Sequence, residues 1–464
     1  MDRSAQTRPT RYRVVIVLLL VLVFPLLAAC GGAAASLDSD ERSSTGSQAP
    51  RDAGVVVSTP SASERQSGST SPPESEFVEA AIEPVSDASS ASGFSAEVAP
   101  AGTTSAAAPE LPKRQGRVAP LKAGEVDDNT EFQDYLTYLQ TYEGPHMRTV
   151  DVSERYIITV LDADQRPLLD ARVRIYDEQQ QVFAGRTYAG GKTIFFPRAL
   201  DVSPNVTEFR VVAERDNNIA ETSFARGGQE QVEIAIGGVQ QPDELKLDLL
   251  FLLDTTGSMS DELRRIQDTL DSIVQRIDTF QPRPNLRLGL VAYRDRGDEY
   301  VTLTYDFTAN VVRFREVLNG LAADGGGDTP EAVNEALHEA IQGVQWSNDA
   351  VRLVFLVADA EPHLDYSNDY DYVVEIQEAL AQGVKIYPIA ASNTEQQAEY
   401  VFRQLAQQTL ASFIFLTYQP GQNSGAPGDT TTLAAGDQEF TVDRLDDLIV
   451  YVVERELARA VGAV

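Results

Sequence analysis

Hydrophobic positions along this chain change their period twice, and each change marks a different kind of structure. Between residues 148 and 240 the apolar positions alternate, as at Tyr156, Ile158 and Val160, Val173 and Ile175, Phe209 and Val211, and Val232, Ile234 and Ile236. Asp164-Gln165-Arg166-Pro167, Gly190-Gly191, Asp216-Asn217-Asn218 and Gly227-Gly228 separate these runs. Alternation between turn signals predicts an antiparallel β-sandwich of about seven strands. From residue 245 to 464 the pattern differs. Continuous apolar runs at 249–253 and 351–358 read as strands buried on both faces, and Leu263, Ile266, Leu270, Ile273 and Ile277 step at helical spacing. Further strands are expected at 286–293, 300–305, 384–390 and 412–416, and helices at 262–280, 310–321, from Pro330, and at 370–382, 395–408 and 443–460. Strands alternating with helices predict an α/β fold with a doubly wound, mainly parallel sheet. The polar, Gly-rich stretch 419–439 interrupts the link from last strand to last helix, and as an insertion it should start at the C-terminal ends of the strands. Ahead of the sandwich, the segment 127–147 contains EFQDYLTYLQTY, a short helix by its spacing.

The N-terminal quarter has neither period. Arg3, Arg8, Arg11 and Arg13 precede an apolar stretch of about 14 residues, too short to span a bilayer and fitting a signal sequence. It ends in Leu27-Ala28-Ala29-Cys30, which resembles a bacterial lipobox, so residues 1–30 read as a lipoprotein signal with Cys30 as the lipidation site. As the chain's only cysteine, Cys30 excludes an intramolecular disulfide. Residues 31–126 are rich in Ser, Ala, Pro and Gly, with Phe77 and Phe94 their only aromatics, and read as a disordered tether. Such a chain spans roughly 50–60 Å root-mean-square, enough to lift a folded head off a membrane. These features point to the bacterial cell envelope, outside the cytoplasm and anchored to a membrane. Lys plus Arg number 38 against 70 Asp plus Glu, a net charge of −32, which argues against a nucleic-acid partner.

Candidate chemistry concentrates where buried strands end. In LDLLFLLDTTGSMS, Asp254, Thr256 and Ser258 alternate after the apolar run, so their oxygens can converge on one point while Gly257 permits the bend. Hard oxygens suit Mg2+. The same residues also fit a plain helix start, with Ser258 or Ser260 as cap and Asp254 serving the turn. Two later sites tip the balance: Thr329 in DGGGDTPEA, and Asp359 at the end of VRLVFLVAD. In an open parallel sheet, ligands at strand C-termini share one face. Asp295, Asp298, Asp324, Asp328, Glu361 and Asp365 fall in loops of that face, mostly as solvated acids, and a lone His363 suits a surface or packing role.

The ordered set Asp254-x-Thr256-x-Ser258, Thr329 and Asp359 resembles the metal-ion-dependent adhesion site of von Willebrand factor type A (VWA) domains, and the GGGDTPEA and AYRD stretches are closest to that family's bacterial and hemicentin-like branch. TVLDADQRPLLDARVRIYD is similar to carboxypeptidase-regulatory-like or other Ig-like modules. The VWA resemblance implies a Mg2+ (or Mn2+) site that a protein ligand completes with an acidic side chain. Thr256 and Ser258 would supply hydroxyls, Thr329 would bind directly or through water, and Asp254 and Asp359 would supply charge. Thr256 stands where serine is commoner, a stiffer hydroxyl. The other readings are a structural envelope or stalk protein with a stabilising metal, and a metal-assisted hydrolase; no Walker loop, GxSxG, HExxH or kinase signature supports an enzyme.

Overall fold

The computed structural model describes residues 120–463 apart from 146, 179, 328, 423–425, 432 and 434–440. The signal, Cys30 and nearly all of the 31–126 segment therefore lie outside the described residues. A strand β1 (Lys122–Val126) and helix α1 (Phe132–Thr141) come first. They lead into β2 (Tyr156–Asp162), β3 (Arg172–Asp177), β4 (Gln180–Arg186), β5 (Lys192–Phe195), β6 (Glu208–Arg215), β7 (Asn218–Ala225) and β8 (Gln231–Ile236). The α/β part follows: β9 (Lys246–Asp254), α2 (Ser260–Ile277), β10 (Asn285–Tyr293), β11 (Thr302–Thr308), α3 (Val311–Gly320), α4 (Val333–His338), β12 (Ala350–Ala358) and α5 (Tyr372–Gln382). It closes with β13 (Val384–Ala390), α6 (Gln396–Gln408), β14 (Phe413–Thr417), a two-residue β15 (Asp443–Arg444) and α7 (Leu445–Ala460).

Strands β2 to β8 form two sheets, β5-β2-β8 and β4-β3-β6-β7. Their inward residues, among them Ile158, Val160, Ile175, Phe195 and Phe209, are fully buried, as the alternation requires. One pairing departs from the antiparallel expectation: β8 runs parallel to β2, with Ile158 opposite Val232. The chain crosses from the edge strand β7 to the other sheet before forming β8, so β8 returns in the direction of the first strand.

The α/β sheet has the order β11-β10-β9-β12-β13-β14-β1-β15. Strands β10, β9, β12, β13 and β14 are parallel, and β11 is an antiparallel edge. Central β9 shows why its run is unbroken: Leu250 and Leu252 face the core shared with α4, α5 and α6, while Leu249, Phe251 and Leu253 face that of α2 and α7. Helices on both faces leave no polar side for the strand.

The expected tether runs to residue 126, and here the structure corrects it. Lys122–Val126 pairs antiparallel with β14, from Lys122 opposite Thr417 to Val126 opposite Phe413. Ala123 and Val126 are buried, Glu125 bonds Arg455 of α7 at 2.7 Å, and the Leu445 amide donates to the Leu121 carbonyl. Five residues as small and mixed as KAGEV become a strand only because the β14 edge offers its hydrogen bonds. Just beyond, buried Asp128 accepts from the equally buried Arg403 of α6 at 2.9 Å. The α/β head therefore includes residues well before 245. After Thr417 the chain folds back on itself: Tyr418 bridges Pro427 and Thr430, and the Gly428 amide donates to the Thr417 carbonyl.

The sandwich meets the head at the N-terminal end of β12. Asp170, 4 % exposed, accepts from Arg352 (3.0 Å) and the Asp349 amide (2.9 Å), while Arg215 pairs with Asp349 at 2.8 Å. The C-terminal ends of the parallel strands lie at the other pole of the sheet. Among the described residues no helix is long and apolar enough to cross a membrane.

Candidate metal site

Parallel pairing brings the site residues together. Asp254 ends β9 and lies opposite Tyr293, the last residue of β10, while neighbouring β12 ends one residue before Asp359. The Asp254 Oδ1 accepts from the Thr256 amide (2.9 Å) and the Thr256 hydroxyl (2.7 Å), and Thr256 Oγ1 lies 3.1 Å from Ser258 Oγ. Tyr293 donates to the other Asp254 oxygen at 3.2 Å. Ser258 lies near enough to Asp359 to favour its charged form. Asp254, Thr256 and Ser258 form one chain of oxygens, with Asp254 and Thr256 buried beneath and Ser258 exposed at the rim.

The glycine loop is strapped over this turn. The Gly257 amide donates to the Gly325 carbonyl (3.0 Å) and the Asp324 amide to the Thr255 carbonyl (3.1 Å). Gly326 has φ +61°, and a Cβ there would lie 2.9 Å from Glu331 Oε1 and 3.1 Å from Thr256 Cβ. Only glycine fits that conformation at that distance. Thr329 follows a few residues later, exposed, with a cis bond to Pro330.

Electrostatics single out a residue that the sequence reading passes over. Glu331 is 2 % exposed, and burial together with the charges of Asp254, Asp295, Asp359 and Asp298 pushes its carboxyl up to about 9. Burial raises Asp254 to about 6 against the opposing hydrogen bonds of Thr256 and Tyr293. Asp359 is raised to about 7 by burial and then by the Asp254 charge. Asp359 Oδ1 and Glu331 Oε2 are buried without a hydrogen-bond partner. Carboxylates so placed call for a proton or a cation. Among the described residues no three His, Cys, Asp or Glu side chains converge as a metal cage. A cation here would draw on carboxylate, hydroxyl and water oxygens together, a donor set that fits Mg2+. In the sequence Glu331 follows Pro330 at a helix start, where an acid reads as a complement to the dipole, so only its burial reveals it.

The other acids of this pole divide by contact. Asp298 Oδ2 accepts from the Asp295 and Gly326 amides, fixing the glycine loop. Asp295 faces His363 Nε2 (3.3 Å) and Tyr366, and Asp365 takes His363 Nδ1 (2.7 Å). His363 is 5 % exposed and stacked on Tyr366 at 3.9 Å, a packing position. Glu262, placed by sequence in the first turn of a helix, is buried and accepts from the Ser392 amide (3.1 Å) and Tyr418 (2.7 Å). It ties the start of α2 to the ends of β13 and β14.

A doubly wound sheet with an oxygen-lined site at the C-terminal ends of adjacent parallel strands defines a Rossmann-like ligand-binding class. Residues 248–418 match the family described as von Willebrand factor A domain, and the chain carries a domain of that family there. An ariadne-like RING finger protein of Acanthamoeba polyphaga mimivirus is 34 % identical over 117 residues, which is 25 % of this chain and 11 % of that protein. Hemicentin-2 of Mus musculus is 35 % identical over 94 residues, 20 % of this chain and 2 % of that protein. The chain thus spans a small fraction of the curated relatives it matches. Among solved structures, an aerotolerance-related membrane protein from Bacteroides fragilis is covered over 99 % of its chain by 46 % of this one, at 11 % identity and a TM-score of 0.31.

Proposed function

We propose that this chain is a lipid-anchored binding protein of the cell envelope whose VWA domain captures a protein ligand through a bound Mg2+ or Mn2+. In this reading Thr256, Ser258 and Thr329 offer hydroxyl oxygens, and Asp254 and Asp359 offer charge directly or through water. An acidic side chain of the partner completes the shell. Cys30 holds the protein to the membrane, and the Ig-like sandwich and the segment before residue 120 act as spacer. The observation that carries the reading is the buried, unpartnered Asp359 Oδ1 beside the bonded Asp254–Thr256–Ser258 chain.

Calorimetry of the full chain with MgCl2 and MnCl2, beside Asp359→Asn, tests the metal: saturable heat in the wild type and its loss in the variant is expected, and equal binding in both removes the site. Detergent partitioning of Cys30→Ser tests the anchor; a variant still processed and membrane-held would refute it. If metal binds but only raises stability, with no partner retained on Mg2+-loaded protein and released by chelator, the metal is structural.

A further inference from the structure

Helix α1 lies outside the residues that match the VWA family and buries Phe132 and Tyr135 in the core. Two more tyrosines follow at helical spacing, Tyr138 and Tyr142, and these are only half-buried. They wall a cleft of about 250 Å3 between the end of α1 and the start of α6, closed by Thr141, Glu143, Gln396 and Glu399. Its aromatic walls are fixed in place. Tyr142 stacks on the buried Tyr400 of α6 with ring centroids 4.2 Å apart, and its hydroxyl donates to the Pro145 carbonyl at 3.1 Å. A Cβ at Gly144 would collide with that ring. Tyr138 lies 6.3 Å from Tyr400, and the Arg403 guanidinium sits over its ring at 3.9 Å. One tyrosine of the cleft thus already holds a cation on its π face. Arg403 itself is buried against Asp128 (2.9 Å) and Glu399 (3.4 Å), so its charge is matched beneath the cleft.

The cleft is anionic. Among the described residues that line it are two carboxylates, Glu143 and Glu399, and no basic side chain. Burial and then the Glu399 charge hold the Tyr138 hydroxyl well above the usual tyrosine range, and burial, Tyr400 and Glu361 raise that of Tyr142, so both rings stay neutral. The Thr141 hydroxyl is spent on the Thr137 carbonyl at 3.0 Å, as that of Tyr142 is on Pro145. What the cleft offers is aromatic surface in a negative field. That surface suits a cation that sheds water easily and needs no hydrogen bonds, whereas a primary ammonium is strongly hydrated. We propose that the cleft between α1 and α6 binds a trimethylammonium group, carried by free choline or by a choline lipid head group. The methyls meet Tyr138 and Tyr142, and the charge faces Glu143 and Glu399. This site uses none of the residues proposed to hold a metal.

Calorimetry of the full chain with choline chloride, at constant ionic strength and with excess MgCl2, tests this. Saturable binding is expected, and dimethylbutanol, the uncharged carbon isostere of choline, should bind about tenfold or more weakly. Glu143→Lys, at an exposed position, should weaken choline binding about tenfold. Tyr142→Leu should abolish it while the melting curve stays cooperative. Co-sedimentation with phosphatidylcholine vesicles, against phosphatidylglycerol vesicles, then tells a lipid head group from a free molecule as the source. Absence of saturable choline binding overturns the proposal. So does equal binding of the uncharged isostere, which makes the cleft a plain apolar crevice, and so does binding that excess MgCl2 displaces, which is counter-ion attraction to an acidic surface. Choline affinity left unchanged by Glu143→Lys, or by a folded Tyr142→Leu, also overturns it. Should Tyr142→Leu fail to fold, Glu143→Lys alone decides whether this cleft is the site.

Discussion

If the site holds Mg2+ as proposed, Asp254→Asn should reverse its effect on stability according to whether the ion is present. Asp254 is 1 % exposed and its carboxyl is raised to about 6 in the folded chain. Against an unfolded value near 3.9, that shift of roughly two units corresponds to about 3 kcal/mol of stability. The sign follows from proton count. Between the unfolded and folded values the native state holds more protons, so stability falls as pH rises through that window and the full cost is present above about pH 6. Asparagine carries no charge at any of these pH values and still accepts from the Thr256 amide and hydroxyl. Its own amide would face Tyr293, whose hydroxyl can turn to accept, and the weaker neutral bonds cost about 1 kcal/mol. In chelator at pH 8 the variant should therefore be more stable than the wild type by about 1–2 kcal/mol, and at pH 5 the difference should shrink. With Mg2+ at a hundred times its dissociation constant the wild type should gain about 2.7 kcal/mol and overtake the variant, which gains little. Urea unfolding of both proteins under these three conditions reads all of this. A variant less stable than the wild type in chelator at pH 8, or one stabilised by Mg2+ to the same extent, would refute the reasoning.

Gly326→Ala must place a methyl at φ +61° within 2.9 Å of Glu331 Oε1, so it should cost about 1–2 kcal/mol and weaken Mg2+ binding by displacing the glycine loop; thermal melts with and without Mg2+ check both, and an unchanged Mg2+ response would separate the loop from the site. A chain started at residue 148 lacks β1 and leaves Arg403 without its Asp128 carboxylate, whereas one started at 120 keeps both. Size-exclusion chromatography and melting curves should show the shorter form aggregated or less stable by several kcal/mol, as for a broken buried pair, and equal behaviour would make β1 dispensable.

Much of the α/β head was readable because its signals are local. The run at 249–253 is apolar at every position since helices cover both faces of β9, and the abrupt change at Asp254 marks the strand's end. The oxygens of Asp254, Thr256 and Ser258 meet as their spacing suggests, because a tight turn after a strand fixes all three. What escaped depends on distant partners. Residues 122–126 carry no pattern of their own and become a strand on the β14 edge. Alternation in β8 reveals which side chains are buried but not strand direction, so its parallel pairing with β2 was illegible. Glu331 was passed over because nothing local marks an acid after Pro330 as buried, and its burial comes from contacts such as its amide to the Glu361 carbonyl and the His363 amide to its own carbonyl.

The direction of β1 has a mechanical consequence. Lys122 lies opposite Thr417, the last residue of β14, so the polypeptide arriving from residue 121 enters the sheet at the pole that carries Asp254 and Asp359. The sandwich is fastened at the far pole through Asp170, Arg352 and Asp349. Were a ligand held at the pole of Asp254 and Asp359 while tension acted along the chain before Lys122, the load would pass through the sheet and the ties of the first segment to it, the β1 pairings with β14 and β15 and the bonds of Glu125 to Arg455 and Asp128 to Arg403. The sandwich would hang outside that path and could give way or stiffen without changing the strength of the hold.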